Sequence, residues 1–209
     1  MEADRVGLRN LAESGYSPQG MASFFERLDE QGRLYGGNTP EMLRTHPLTT
    51  NRIADARARA DSYRGGRTDS QEFMAMQART KVLAESDPSQ TLDYFQRSLT
   101  ENLTQSAEQK TAIQYGLAIA KLKNAQYQEA QNILSGLLKA QPDNLSFILA
   151  QAEVHARLGQ QKESLRLLDH TYQWHVSLPL LRQYAETYLQ FHQYQAARNF
   201  LLRQDLGTW

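Results

Sequence analysis

The stretch LAIAKLKNAQYQEAQNILSGLLKAQPDN, residues 117–144, decides how the second half of this chain folds. Within it Leu117-Ala118 is followed by Tyr127, Ala130, Leu134 and Leu137, and the stretch closes on Pro142-Asp143-Asn144. Residues 184–201, YAETYLQFHQYQAARNFL, repeat the pattern, with Tyr184-Ala185 followed by Tyr194, Ala197 and Leu201. Ser164 holds the corresponding place between them, so the small residues Ala130, Ser164 and Ala197 stand 34 and 33 positions apart. Self-similarity at such a period marks stacked helical hairpins, each burying its apolar side on its neighbours.

That period is the one of the tetratricopeptide helix–turn–helix repeat. Full repeats are predicted over 111–144, 145–177 and 178–209, with a degenerate leading repeat over 71–110 that carries Phe73, Met76 and Leu83, then Leu92, Phe95 and Leu99. Residues 65–70, Gly65-Gly66-Arg67-Thr68-Asp69-Ser70, form the predicted linker. Residues 1–64 make a segment of their own. Helices are expected there over about 2–13, 18–34 and 50–63, with Ser14-Gly15-Tyr16-Ser17-Pro18 supplying a stop, a cap and a first-turn proline. The predicted class is all-α, a short helical segment followed by a helical solenoid.

Composition narrows the functions. With 23 basic and 23 acidic residues the net charge is zero, which argues for neither nucleic acid nor an anionic membrane as partner. No transmembrane segment is expected, because no run approaches the ~18 apolar residues needed to span a bilayer. The opening Met1-Glu2-Ala3-Asp4-Arg5 does not read as a signal peptide. The absence of cysteine removes disulfides and thiolate metal sites without choosing a compartment.

Two arrangements in 1–64 stand out. One is Glu2-Ala3-Asp4-Arg5-Val6-Gly7. The other is Thr45-His46-Pro47 with Arg52 six residues after the histidine, which the following proline holds in extended backbone. On the residues alone, Asp4 reads first as a first-turn carboxylate favourable to the helix dipole, and His46 as a loop histidine capping a turn. Together with Gly15-Tyr16-Ser17-Pro18, Met21 and Phe24-Phe25, these motifs resemble the second half of the zinc metalloproteases related to CAAX prenyl protease and HtpX. Fusion of that half to tetratricopeptide repeats is similar to periplasmic proteases that serve outer-membrane β-barrel assembly.

The resemblance implies a zinc endopeptidase and chaperone whose repeats bind unfolded or stalled outer-membrane proteins and the barrel-assembly machinery. It gives Asp4 the role of orienting a ligand histidine or donating a proton. His46 becomes an extra zinc ligand or oxyanion stabiliser, and Arg52 a catalytic-site residue. The H-E-x-x-H helix that carries two zinc histidines and the general base is not in this sequence, since no histidine here is followed by glutamate. The family's ligand glutamate would fall just before Met1, and Glu2 is a metal-ligand candidate only at a different spacing. The chain is therefore expected to be a fragment that binds no zinc and is inactive alone. The other reading is a non-catalytic tetratricopeptide adaptor.

Repeat geometry nominates a binding face on the first helix of each hairpin: Tyr115, Ile119 and Lys123, then Leu149, Glu153 and Arg157, then Arg182, Glu186 and Gln190. Its mixed charge and large apolar groups suit an extended polypeptide partner. His155, His170, His175 and His192 lack ligand-like spacing and are read as packing or surface residues.

Overall fold

Local sequence alone sets where each helix stops. In the computed structural model, which describes residues 2–34, 50–67, 69–101 and 106–204, all regular structure is helical apart from one isolated bridge. The chain divides into two compact units, Met1–Ser70 and Gln71–Trp209.

The first unit holds α1 (Glu2–Glu13), α2 (Gln19–Leu34) and α3 (Thr50–Ala60). Leu8, Phe25, Ala56 and Ala60 form its small core, with Met21 and Ile53 packed alongside. Phe24, at helical spacing from Met21 and Leu28 in the sequence, is exposed, and Ala22 is buried instead. Part of the 65–70 segment makes contacts within this unit. Ser17 N–H donates to Arg67 O at 2.9 Å, Arg67 N–H to Gly15 O at 2.8 Å, and the Arg67 guanidinium lies 4.7 Å from the centre of the Tyr16 ring. Gly66, at φ +102°, makes that return possible, since a Cβ there would fall 2.7 Å from Ser17 N. The loop with Thr45-His46-Pro47 lies outside the described residues.

The second unit holds α4 (Gln71–Ala84), α5 (Pro88–Glu101), α6 (Ala107–Lys123), α7 (Tyr127–Ala140), α8 (Leu145–Arg157), α9 (Gln161–Tyr172), α10 (Leu178–Gln190) and α11 (Tyr194–Leu202). It is a solenoid of helical hairpins. The helix α6 begins four residues before the predicted start of the first full repeat, because Ser106 and Gln109 form a capping box there.

Each of α6, α8 and α10 ends in the same turn. Gln126 N–H donates to Lys121 O, Gln160 N–H to His155 O and Gln193 N–H to Tyr188 O, each at 2.9 Å. The preceding residues donate to the carbonyl one residue further on, Ala125 to Leu122 O at 3.2 Å, Gly159 to Ala156 O and His192 to Leu189 O at 3.0 Å. These paired bonds define a Schellman motif, which requires a left-handed residue at its centre. Ala125 (φ 59°), Gly159 (φ 77°) and His192 (φ 58°) occupy that position at the spacing of the repeat itself.

The next helix then starts at once and lays its small residue against the first helix. Ala130 and Ser164 are 0% exposed and Ala197 is 4%. Where the small residue is serine, its hydroxyl is satisfied: Ser164 Oγ donates to Ala152 O at 2.8 Å. Gly116 fills an equivalent need one hairpin earlier, since the Phe95 ring occupies the space a Cβ would take.

The three turns differ in strain. Glycine is at home at left-handed φ, and alanine there costs about 1 kcal/mol. Ala125→Gly is accordingly expected to stabilise the repeats by about 0.5 kcal/mol, and Gly159→Ala to destabilise them by about 1 kcal/mol. Urea unfolding followed by circular dichroism measures both; a loss of stability in Ala125→Gly contradicts the account.

Candidate functional site

In the first unit one buried carboxylate meets one arginine across two helices. Asp4 is 7% exposed on α1, and Arg52 reaches it from the first turn of α3. Arg52 Nε donates to Asp4 Oδ2 at 2.9 Å and Nη2 to Oδ1 at 2.8 Å, a two-pronged pair. The guanidinium also lies 5.4 Å from the centre of the Phe25 ring. Hydrogen bonding by Arg52 holds the Asp4 carboxyl below its ordinary value and outweighs burial, which acts the other way. The same bonds raise Arg52. Asp4 is therefore ionised at neutral pH, a hydrogen-bond acceptor and a poor proton donor.

Glu2 faces solvent beside Arg5, 3.7 Å away, and is not part of this arrangement. His46 lies outside the described residues. Among the described residues no three His, Cys, Asp or Glu side chains are grouped to hold a metal ion. With Asp4 taken by Arg52, the described part of the chain does not by itself fit zinc. No described helix is long and apolar enough to cross a membrane.

In the second unit the first helices α4, α6, α8 and α10 lie side by side. The nominated face divides along them. Tyr115 (0% exposed) and Ile119 (3%) belong to the core, because the leading helix α4 covers α6. Lys123 closes off α4 instead of pointing free: its Nζ donates to Val82 O at 2.9 Å and to Glu85 O at 2.5 Å, neutralising a helix C-terminus. Gln190 does the same for α8, donating to Ala156 O at 2.8 Å. Leu149 is half-buried against Leu168, Leu180 and their neighbours.

Glu153, Arg157, Arg182 and Glu186 remain as a charged patch. Arg182 Nε donates to Glu186 Oε1 at 2.7 Å, whereas Arg157 stands 3.9 Å from Glu153 Oε1, beyond hydrogen-bond reach. Burial pushes the Glu153 carboxyl up, and Arg79 and then Arg157 pull against it. Arg79, which sequence reading missed, projects from α4, its Nη1 3.5 Å from the Tyr115 hydroxyl. Its helix belongs to the degenerate repeat, where no register related it to the other three. His155 sits among Gln131, Gln151 and Gln160.

This division of labour has relatives. Residues 1–60 match peptidase family M48 and residues 82–154 match the tetratricopeptide repeat. The chain thus joins part of an M48-family peptidase to tetratricopeptide repeats. It is homologous from end to end to proteins named beta-barrel assembly-enhancing protease. The Escherichia coli K12 protein is 34% identical over 208 residues, covering 99% of this chain and 42% of that relative. The Yersinia pestis protein is 35% identical over 169 residues, 78% of this chain and 32% of the relative. A putative one from Vibrio cholerae is 35% identical over 156 residues, 73% and 31%. The chain spans less than half the length of these relatives.

The Asp4–Arg52 pair has a pH signature. A carboxyl whose value is lowered in the folded state binds fewer protons there than when unfolded, so its contribution is full above the ordinary value near 3.8 and is lost as pH falls through the lowered one. The pair is part-buried between α1 and α3, and its loss is expected to cost about 1–2 kcal/mol. Hydrogen exchange of α1 and α3 should quicken in Asp4→Asn at pH 7, and the difference from wild type should shrink as pH falls below 3.8. An unchanged exchange rate at pH 7 would contradict a stabilising pair.

Proposed function

We propose that this chain is the C-terminal segment of a periplasmic zinc metalloendopeptidase that promotes assembly and quality control of outer-membrane β-barrel proteins. Its repeats bind unfolded or stalled barrel proteins and the barrel-assembly machinery. The reading rests on one observation: alignment over 99% of the chain with a relative of that name, through the peptidase segment and the repeats alike. In the proposed division, residues 1–64 belong to the peptidase, 65–70 form the junction and 71–209 carry the partner surface.

Zinc would supply the hydrolytic chemistry in the intact polypeptide, held by H-E-x-x-H histidines that this sequence does not contain. The part played here is one of position. Asp4, kept ionised by Arg52, accepts a hydrogen bond from a histidine N–H and so fixes its ring, a role its lowered value favours over proton donation. Arg52 fixes Asp4 in turn, by two hydrogen bonds and by packing on Phe25. His46 is assigned to the extra-ligand or oxyanion role.

The chain alone is expected to retain an unfolded outer-membrane barrel protein, while leaving both that protein and casein uncleaved. The intact polypeptide should cleave, and stop on chelation. Light-scattering protection assays and gel analysis of the same mixtures read both properties. No protection by either form overturns the chaperone role, and cleavage unaffected by chelators overturns the metalloprotease.

A further inference from the structure

Resting on the repeats as the partner surface, we infer that Arg79, Glu153 and Arg157 form a seat for an acidic side chain of an extended polypeptide, with Glu153 as the resident carboxylate that such a side chain displaces.

The argument starts from charge. The patch formed by the first helices carries three guanidiniums, Arg79, Arg157 and Arg182, against two carboxylates, Glu153 and Glu186. One of those pairs is complete: Arg182 and Glu186 share a 2.7 Å hydrogen bond one turn apart on α10. Among the described residues Glu153 is then the remaining carboxylate of the patch, and no hydrogen bond ties it to Arg79 or Arg157. Arg157 approaches it no closer than 3.9 Å, and among the described residues no carboxylate lies within ion-pair distance of Arg79, whose recorded contact is the neutral Tyr115 hydroxyl at 3.5 Å. Two guanidiniums with ten N–H donors between them are therefore served by long contacts only.

Glu153 lies on α8 four residues before Arg157, and its side chain is 26% exposed. An incoming Asp or Glu can meet the guanidinium edge in the planar, two-pronged manner that arginine favours. The resident carboxylate keeps the empty seat from holding uncompensated positive charge and competes with the guest. The occupant is acidic rather than basic, because the surplus charge is positive. It is extended, because the arginines come from different helices along the row.

The test uses the whole chain and a fluorescent peptide of Gly, Ser and Thr residues, amidated at its C-terminus, with two Glu residues; its Gln counterpart is the control. The Glu peptide is expected to bind at least about tenfold more tightly than the Gln peptide, with affinity falling as salt rises. Arg79→Gln and Arg157→Gln should each weaken it by about tenfold. Glu153→Gln should tighten it, a change of opposite sign that general damage to the fold does not produce. Thermal melts establish that each variant is folded. Equal binding of the two peptides, or weakening by Glu153→Gln, overturns the inference. Retention of an unfolded barrel protein by the Arg79→Gln, Arg157→Gln double variant at wild-type strength removes the seat from that interaction and leaves the chaperone role standing. Failure of the wild-type chain to retain that protein counts against the role itself.

Discussion

Three left-handed residues govern the second unit. Ala125, Gly159 and His192 each reverse the chain at the end of a first helix, and the reversal leaves room for only the smallest side chain where the second helix comes back. This couples two sequence features that look separate. The turn fixes the register of the hairpin, and the register delivers Ala130, Ser164 or Ala197 to a point of contact with no spare volume. Large residues there would push the helices apart, and the clusters built on Tyr115, Leu134 and Phe147 and on Leu168, Leu180 and Tyr184 would lose contact along their length. Glycine is used at one of the three turns, which shows that the tertiary packing of the hairpin exceeds the backbone cost at the other two.

The ends of the first helices also meet, and this takes up part of the face. Their last carbonyls lie together, so the final residue of one first helix can reach the end of an earlier one. Lys123 closes α4 and Gln190 closes α8 in this way. Those positions belong to the architecture. What is left of the face lies a turn further in, where Glu153, Arg157, Arg182 and Glu186 form the charged patch.

The repeats were legible because their signal is periodic and made of residues whose size matters. A period of 33 or 34 positions survives whatever the side chains do, and the small-residue positions are forced by contact. The spacing used to nominate the face does not see covering by neighbours: Tyr115 and Ile119 satisfy it, but a neighbour without recognisable register buries them. Arg79 escaped for the same reason. In the first unit the motifs led to Asp4 and Arg52, yet nothing in the sequence joined the two, because 48 positions separate them and only the packing of α1 on α3 brings them together. Gly65-Gly66 read as a linker since glycine pairs usually punctuate; what they allow here is a close return of Arg67 onto Tyr16 and Ser17.

The two units set a carboxylate beside arginine to opposite effect, and the contrast separates the forces at work. Asp4 and Glu153 are both removed from water to a degree, and both have guanidiniums nearby. Asp4 is held low and Glu153 is pushed up. The difference is contact. Asp4 receives two hydrogen bonds under 3 Å in the plane of the guanidinium, while Glu153 receives charge from a distance. Coulomb attraction fades slowly as the groups separate, but the directional part of a charged hydrogen bond is gone by 3.6 Å. Proximity of opposite charge thus leaves Glu153 under-compensated, whereas alignment makes the Asp4 carboxylate part of the scaffold. A carboxylate of the first kind can exchange partners; one of the second kind holds its place.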